Sequence, residues 1–321
     1  MTKAFPRVFA CFAALLVAQA SPAQTWPDKP VKFVIPFAPG GPADIVARLT
    51  GQKLTEILGQ AVIVESRAGA GGNIGAAAVA KSAPDGYTAL VTTSAFAVNV
   101  SLSPNSGYDA ERDFIPVAAV AKQANLIFVN PGLPAKTVAE LIALARTRKL
   151  AFASPGSGTT PHLTAENLFN LISKLDIPAI HFRGAGPSAT AVVGGEPPVG
   201  AGAISTPLPF VKSGKLRALA VSSASRVAAL PDVPTLAEAG FPGFNDDTWI
   251  GIFLPAGTSP AIVQKLNEAI NKALQSADMR ERLDALAFEP VGGTPPQFAA
   301  YVKAEIAKWG KVVREGNIKA E

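Results

Sequence analysis

PFAPGGPADIVAR at residues 36–48 and ASPGSGTTPHL at residues 153–163 are the two stretches on which the reading of this chain turns. Each stands between a strand-like run and a helix-like run, and each is built to hold an anion. Glycines let the backbone approach a ligand, a proline sits where a first helical turn begins, and the helix behind points its N-terminus at the loop. Two such loops, far apart in the chain, suggest two lobes gripping one small acid.

Around the first loop, residues 31–37 read as a buried strand, 45–58 as an amphipathic helix and 61–64 as the next strand. A helix over 74–83, the turn PDGY at 84–87 and a strand over 88–93 continue the alternation. Such a βαβ pattern argues for a parallel sheet covered on both faces. Around the second loop, strands at 126–129, 150–154 and 177–182 alternate with helices at 137–149 and 160–175, a second α/β lobe. Residues 216–221 add a strand, VPTLAEAGFPGF at 233–244 reads as a connector, and 260–276, 277–287 and 295–315 have helical spacing.

With 48% hydrophobic and 17% charged residues, the chain has the composition of a folded, loop-rich globular protein. Lys3 and Arg7, an apolar run over 8–18 and the small residues AQASPAQ follow the order of a secretory signal peptide, cleaved after Ala20 or Ala23. The run is about half of the ~20 residues that span a bilayer, which argues against an anchor. Cys11, the single cysteine, lies in that run and leaves with it, so disulfides, thiolate zinc sites and thiol nucleophiles are excluded. Export places the mature chain in the bacterial periplasm. Losing Lys3 and Arg7 from 29 basic residues leaves 27 against 24 acidic ones, a net charge of +3 with no block of like charge. That is too weak and too dispersed for nucleic acid.

In the first loop, the free amides around Gly40 and Gly41 suit a carboxylate, although an ordinary βα turn also needs such glycines. Asp44 suits a helix cap better than contact with an anion. In the second loop, Ser154, Ser157, Thr159 and Thr160 bring hydroxyls and Gly156 and Gly158 permit close approach, while one of the threonines can serve as the N-cap. His162 is either a neutral donor to ligand or a packed helix-start residue. Arg183, in the glycine-containing turn FRGAGPSA at 182–189, is a candidate carboxylate clamp or an ordinary surface arginine.

RAGAGGNIGA at 67–76 invites a nucleotide reading, but Ile74 stands where the third glycine of GxGxxG is required; Asn73 is left as a helix cap or a cleft residue. The chain has no GxxxxGK, HExxH or GxSxG, and only two histidines. A hydrolase built from Ser157 and His162 would lack an orienting third group.

Taken together, WPDKPVKFVIPFAPGGPAD, ESRAGAGGNIGAAAVAKSAPDGYTAL, ASPGSGTTPHL, SGKLRALAVSS and LPDVPTLAEAGFPG followed by Trp249 resemble the substrate-binding proteins of tripartite tricarboxylate transporters, the Bug receptors, over essentially the whole mature chain. The resemblance implies an α/β, two-lobed periplasmic-binding-protein fold of type II. Each lobe is a mostly parallel sheet flanked by helices, and two crossover segments fall near residues 121–123 and 247–249. With 1–23 as the signal peptide, lobe 1 is 24–121 plus 247–321 and lobe 2 is 122–246. The implied ligand-binding residues are Phe37, Pro39, Gly40, Gly41 and Ala43 on one lobe, and Ser154, Gly156, Ser157, Gly158, Thr159 and His162 on the other. Asn73 and Arg183 join them from the reading of the residues, and Ser205 from its place against the family pattern. No catalytic residue, metal or cofactor is expected. The expected unit is a monomer, with a small-molecule carboxylate and membrane transporter subunits as partners.

One stretch departs from the family pattern. FRG and then VVGGEPPVGAGAIST at 192–206 place Ala203 and Ser205 about where acidic or amide side chains often face the cleft. Loss of an acid there argues against an amino-acid ligand, whose ammonium wants a carboxylate partner. The expected ligand is a dicarboxylate, or an aromatic or aliphatic carboxylate without an amino group. The alternative is a receptor of the same fold that senses ligand and passes its closed state to a signalling partner.

Overall fold

The computed structural model describes residues 26–315, 318 and 319; the signal-peptide expectation lies outside them. The first loop sits where the sequence places it, between β1 (Val31–Ile35) and α1 (Pro42–Leu58), with β2 (Val62–Ser66) following. α1 starts three residues before the expected apolar periodicity, because a proline at the first helical position lacks only an amide that no carbonyl of the helix would use. A short 3₁₀ turn (Ala70–Gly72) leads into α2 (Asn73–Ala80), and β3 (Thr88–Thr93) and α3 (Ala95–Leu102) complete this part.

The next strand, β4 (Phe114–Val129), joins the two halves of the molecule. It pairs antiparallel with β9 (Asp247–Pro255) as far as Ala124 and with β7 (Val199–Ala203) from Asn125 onward. The first half holds β2, β1 and β3 in parallel, then β9, β4 and β10 (Glu289–Gly292) antiparallel. The second half holds β6 (Ala179–His181), β5 (Phe152–Ser154) and β7, parallel, joined antiparallel to β4, which also pairs with β8 (Arg217–Val221). The parallel sets read from the βαβ pattern form the outer part of each sheet, and the shared strands make each sheet mixed. The sequence reading caught only the last part of β4, at 126–129, and missed β9, because both strands are buried on both faces and show no alternation.

Helices α4 (Val138–Ala145), α5 (Thr160–Glu166), α6 (Ala185–Gly194) and α7 (Leu208–Lys212) belong to the second half. α5 continues as a π-helical segment (Asn167–Ile172). Helices α8 (Pro260–Gln275), α9 (Ala277–Ala285) and α10 (Pro295–Glu315) return to the first half. Two apolar clusters flank each sheet: one pair centres on Phe33, Ile252, Phe253 and Trp249, the other on Phe152, Phe169, Phe128 and Leu126. Among the described residues, no helix is long and apolar enough to cross a membrane.

Candidate functional site

Three helices present their N-termini to one point between the halves. α1 has Gly41 as its N-cap in extended backbone, α5 has Thr159, and α6 has Gly184 at φ 145°, a conformation natural only to glycine. None of the three is capped by a side chain. Thr159 Oγ1 instead donates to the Gly156 carbonyl at 2.9 Å. Gly41 and Ala43 of the first helix, Thr159 and Pro161 of the second and Ala185 of the third all line one small cavity of about 30 Å³. Uncapped first-turn amides and three aligned dipoles make this an anion cradle, and its lining holds no charged side chain. Since a single water needs about 10–15 Å³, the space suits a carboxylate group rather than a ring.

Phe37 and Pro155 also border a second, larger cavity of about 250 Å³. Its far walls are the 69–73 loop on one side and Gly156, Ser157, His181, Phe182 and Arg183 on the other. Ser157 Oγ is buried there without a partner among the described residues, and Arg183 is exposed at the edge. Asn73 Oδ1 is committed within the wall, accepting from Asn99 Nδ2 at 3.0 Å and the Tyr108 hydroxyl at 2.9 Å.

Behind the small cavity runs a chain of buried hydroxyls. Thr248, which lines the cavity, donates to Asn125 Oδ1 at 2.7 Å. Each hydroxyl has one proton, so Thr160 must donate to Thr248 (2.7 Å) and Ser94 to Thr160 (3.0 Å). Asn125 Nδ2 then donates to Thr164 at 3.0 Å, tying both crossing strands to the start of α5.

His162 is a packed residue behind the second loop. Its Nδ1 accepts the Gly158 amide at 3.4 Å, which leaves the neutral ring's proton on Nε2, 3.6 Å from Glu166 Oε1. Burial pushes the Glu166 carboxyl up, but the His162 ring 3.6 Å away, the hydrogen bond from Asn170 and the nearby His181 outweigh it and hold it below its ordinary value. With both ring nitrogens occupied, His162 is not placed to deprotonate Ser157. Ser154 is fully buried and shares its hydroxyl with Gly156 and with His181 Nδ1 at 3.1 Å.

The sequence-derived residues therefore divide by place. Gly41, Ala43 and Thr159 line the small cavity, Asn73, Gly156, Ser157 and Arg183 the large one, and Phe37 both. Pro39 and Gly40 sit outside the cradle where the halves touch: Thr206 Oγ1 donates to the Gly40 carbonyl at 3.4 Å, and Gly186 packs under the Pro39 carbonyl. Ser154, Gly158, His162 and Ser205 lie in the layer behind. Sequence reasoning passed over Thr93, Thr248 and Ala185. The available signal for the two threonines was a hydroxyl set within an otherwise apolar strand.

The family model for the tripartite tricarboxylate transporter family receptor matches residues 46–318. Protein BugT of Bordetella pertussis is 38% identical over 323 residues, covering 99% of each chain. Among solved structures, R. palustris Rpa4515 with adipate superposes with a TM-score of 0.89 at 35% identity, covering 92% of this chain and 100% of that one. MatC from Rhodopseudomonas palustris, with bound malate, superposes with a TM-score of 0.85 at 36% identity, covering 90% and 100%.

Proposed function

This chain belongs to the tripartite tricarboxylate transporter receptor family, and from that premise we propose that it is a periplasmic receptor that captures a small organic acid between its halves and delivers it to the membrane subunits of such a transporter. The observation that carries this reading is the convergence of three uncapped helix N-termini on one small, counter-ion-free cavity. A carboxylate there replaces water by fixed amide dipoles in a low-dielectric setting. The rest of the acid extends past Phe37 and Pro155 into the larger cavity. Two relatives solved with adipate and malate support a carboxylate guest. Export by a cleaved leader, a monomeric unit and the lobe division at residues 121/122 and 246/247 belong to the same proposal.

The test is thermal unfolding of the mature protein, first unfolded and refolded to strip any carried ligand, against mono-, di- and tricarboxylates, aromatic acids and acidic amino acids. A ligand bound only by the folded state at 100 times its dissociation constant adds about 2.7 kcal/mol, a shift of several degrees. Silence across the panel rejects the carboxylate-receptor reading.

A further inference from the structure

Asp44 is buried, 6% exposed, in the first turn of α1, one residue beyond the small cavity's lining and beside an anion cradle that its charge would oppose. Both its oxygens are engaged within its own half: Oδ2 accepts the Gly40 amide at 3.0 Å, and Oδ1 accepts Arg48 Nε at 2.9 Å. Arg48 reaches in from solvent, its side chain 57% exposed, and offsets the buried charge. An acid at the third helical position ordinarily reaches back to the amide of the N-cap residue. Here the N-cap is Gly41, and Asp44 takes the amide one residue earlier. The Gly41 amide, on a residue that lines the cavity, is left without a hydrogen-bond partner among the described residues.

The same bond shapes the tip of the loop. Gly40 makes a left-handed turn at φ 83°; Asp44 fixes its amide from behind, while its carbonyl faces the other half, where Thr206 Oγ1 donates to it at 3.4 Å. At the other end of the tip, Ser66 Oγ donates to the Phe37 carbonyl. Between these two holds lie Ala38, whose amide meets the Arg183 carbonyl, and Pro39, whose carbonyl Gly186 packs against. Asp44 itself lines neither cavity.

We propose that Asp44 is a positioning residue for acid capture: through Gly40 it holds the loop tip in the shape that meets the other half, and it keeps the Gly41 amide open for the carboxylate. This rests on the receptor reading above and adds to it a residue that acts without touching the acid. A carboxylate suits the task because both its oxygens only accept. One holds the Gly40 amide while the other takes the Arg48 proton that offsets the charge.

The test is calorimetric titration of refolded wild type, Asp44→Asn, Asp44→Ala, Thr206→Val and the last two combined, with the acid that most raises the wild-type unfolding midpoint. Asp44→Ala should weaken binding about tenfold or more, and Asp44→Asn, which keeps an acceptor for the Gly40 amide, should return to within about threefold of wild type. Thr206→Val leaves Asp44 in place, which guards against a folding defect in Asp44→Ala, and should weaken binding about threefold. Added to Asp44→Ala it should cost almost nothing more, because the Gly40 carbonyl is no longer held towards it; such non-additivity marks a shared route. A role in fold stability alone would lower the ligand-free midpoint of Asp44→Ala and leave the affinity of the folded protein unchanged. The positioning role alone is overturned by an Asp44→Ala that binds like wild type, an Asp44→Asn as weak as Asp44→Ala, a Thr206→Val that binds like wild type, or losses that simply multiply. A wild type that binds no carboxylate at all overturns the receptor reading, and this role with it.

Discussion

The Ala38 amide donates to the Arg183 carbonyl at 2.9 Å, a backbone hydrogen bond between the loop after β1 and the loop after β6. These loops belong to opposite halves, and the contact brings the N-terminus of α6 beside that of α1. Gly41 lies so close that a Cβ on it would stand 3.6 Å from the Ala185 methyl. The anion cradle is complete only when the halves meet in this way.

That closeness predicts a closure-blocking variant. A Cβ at Gly186 would lie 2.8 Å from the Pro39 carbonyl, a backbone atom that cannot swing aside. Gly186 has no positive φ and sits in the first turn of α6, where alanine is otherwise the better helix former. Gly186→Ala should keep or raise the unfolding midpoint of the ligand-free protein yet weaken acid binding about tenfold or more, a loss of ~1.4 kcal/mol. Titration calorimetry beside a melting curve checks it, and unchanged affinity would contradict it.

Thr248 is the middle of the hydroxyl chain. Thr248→Val leaves the Thr160 proton and Asn125 Oδ1 unmet in a buried setting, so the protein should lose about 2 kcal/mol in urea unfolding. Thr248→Ser keeps the chain and should lose less than half of that.

Glu305 Oε2 accepts from the indole nitrogens of both Trp249, at 3.0 Å, and Trp309, at 2.9 Å, tying α10 to the crossing strand β9. Glu305→Ala strands two buried donors and should cost about 3 kcal/mol, with a visible change in tryptophan fluorescence. Glu305→Gln retains an acceptor oxygen and should recover part of the loss.

Glu166 predicts a pH dependence. Its folded carboxyl keeps its charge to lower pH than the unfolded chain does, so its contribution is present above the ordinary carboxylate range and is lost as pH falls through the folded value. Glu166→Gln should therefore be about 1 kcal/mol less stable than wild type at neutral pH, and the two should converge in acid. Melting curves across the acid range decide it; a constant difference at every pH would show that the charge is not what stabilises.

The anion loops were legible because their glycines, prolines and hydroxyls must occupy backbone positions that few other residues tolerate; Gly41 and Thr159 could be named from local pattern, and Ala43 from the resemblance to the receptor family. Thr93 and Thr248 could not, because they reach the small cavity by strand pairing between segments more than a hundred residues apart, as in the Thr93–Ile250 register. β9 was missed for a related reason: buried on both faces, DTWIGIFLP shows no alternation. His162 carried two readings in sequence, and only the Gly158 and Glu166 contacts place it behind the loop.

The central claim is tested most directly by a crystal structure of the refolded protein with the acid that most raises its unfolding midpoint. The account predicts a carboxylate in the small cavity, within hydrogen-bond reach of first-turn amides of α1, α5 and α6, with the rest of the acid running past Phe37 toward Arg183. An acid seated elsewhere, with water alone in the cradle, would contradict it.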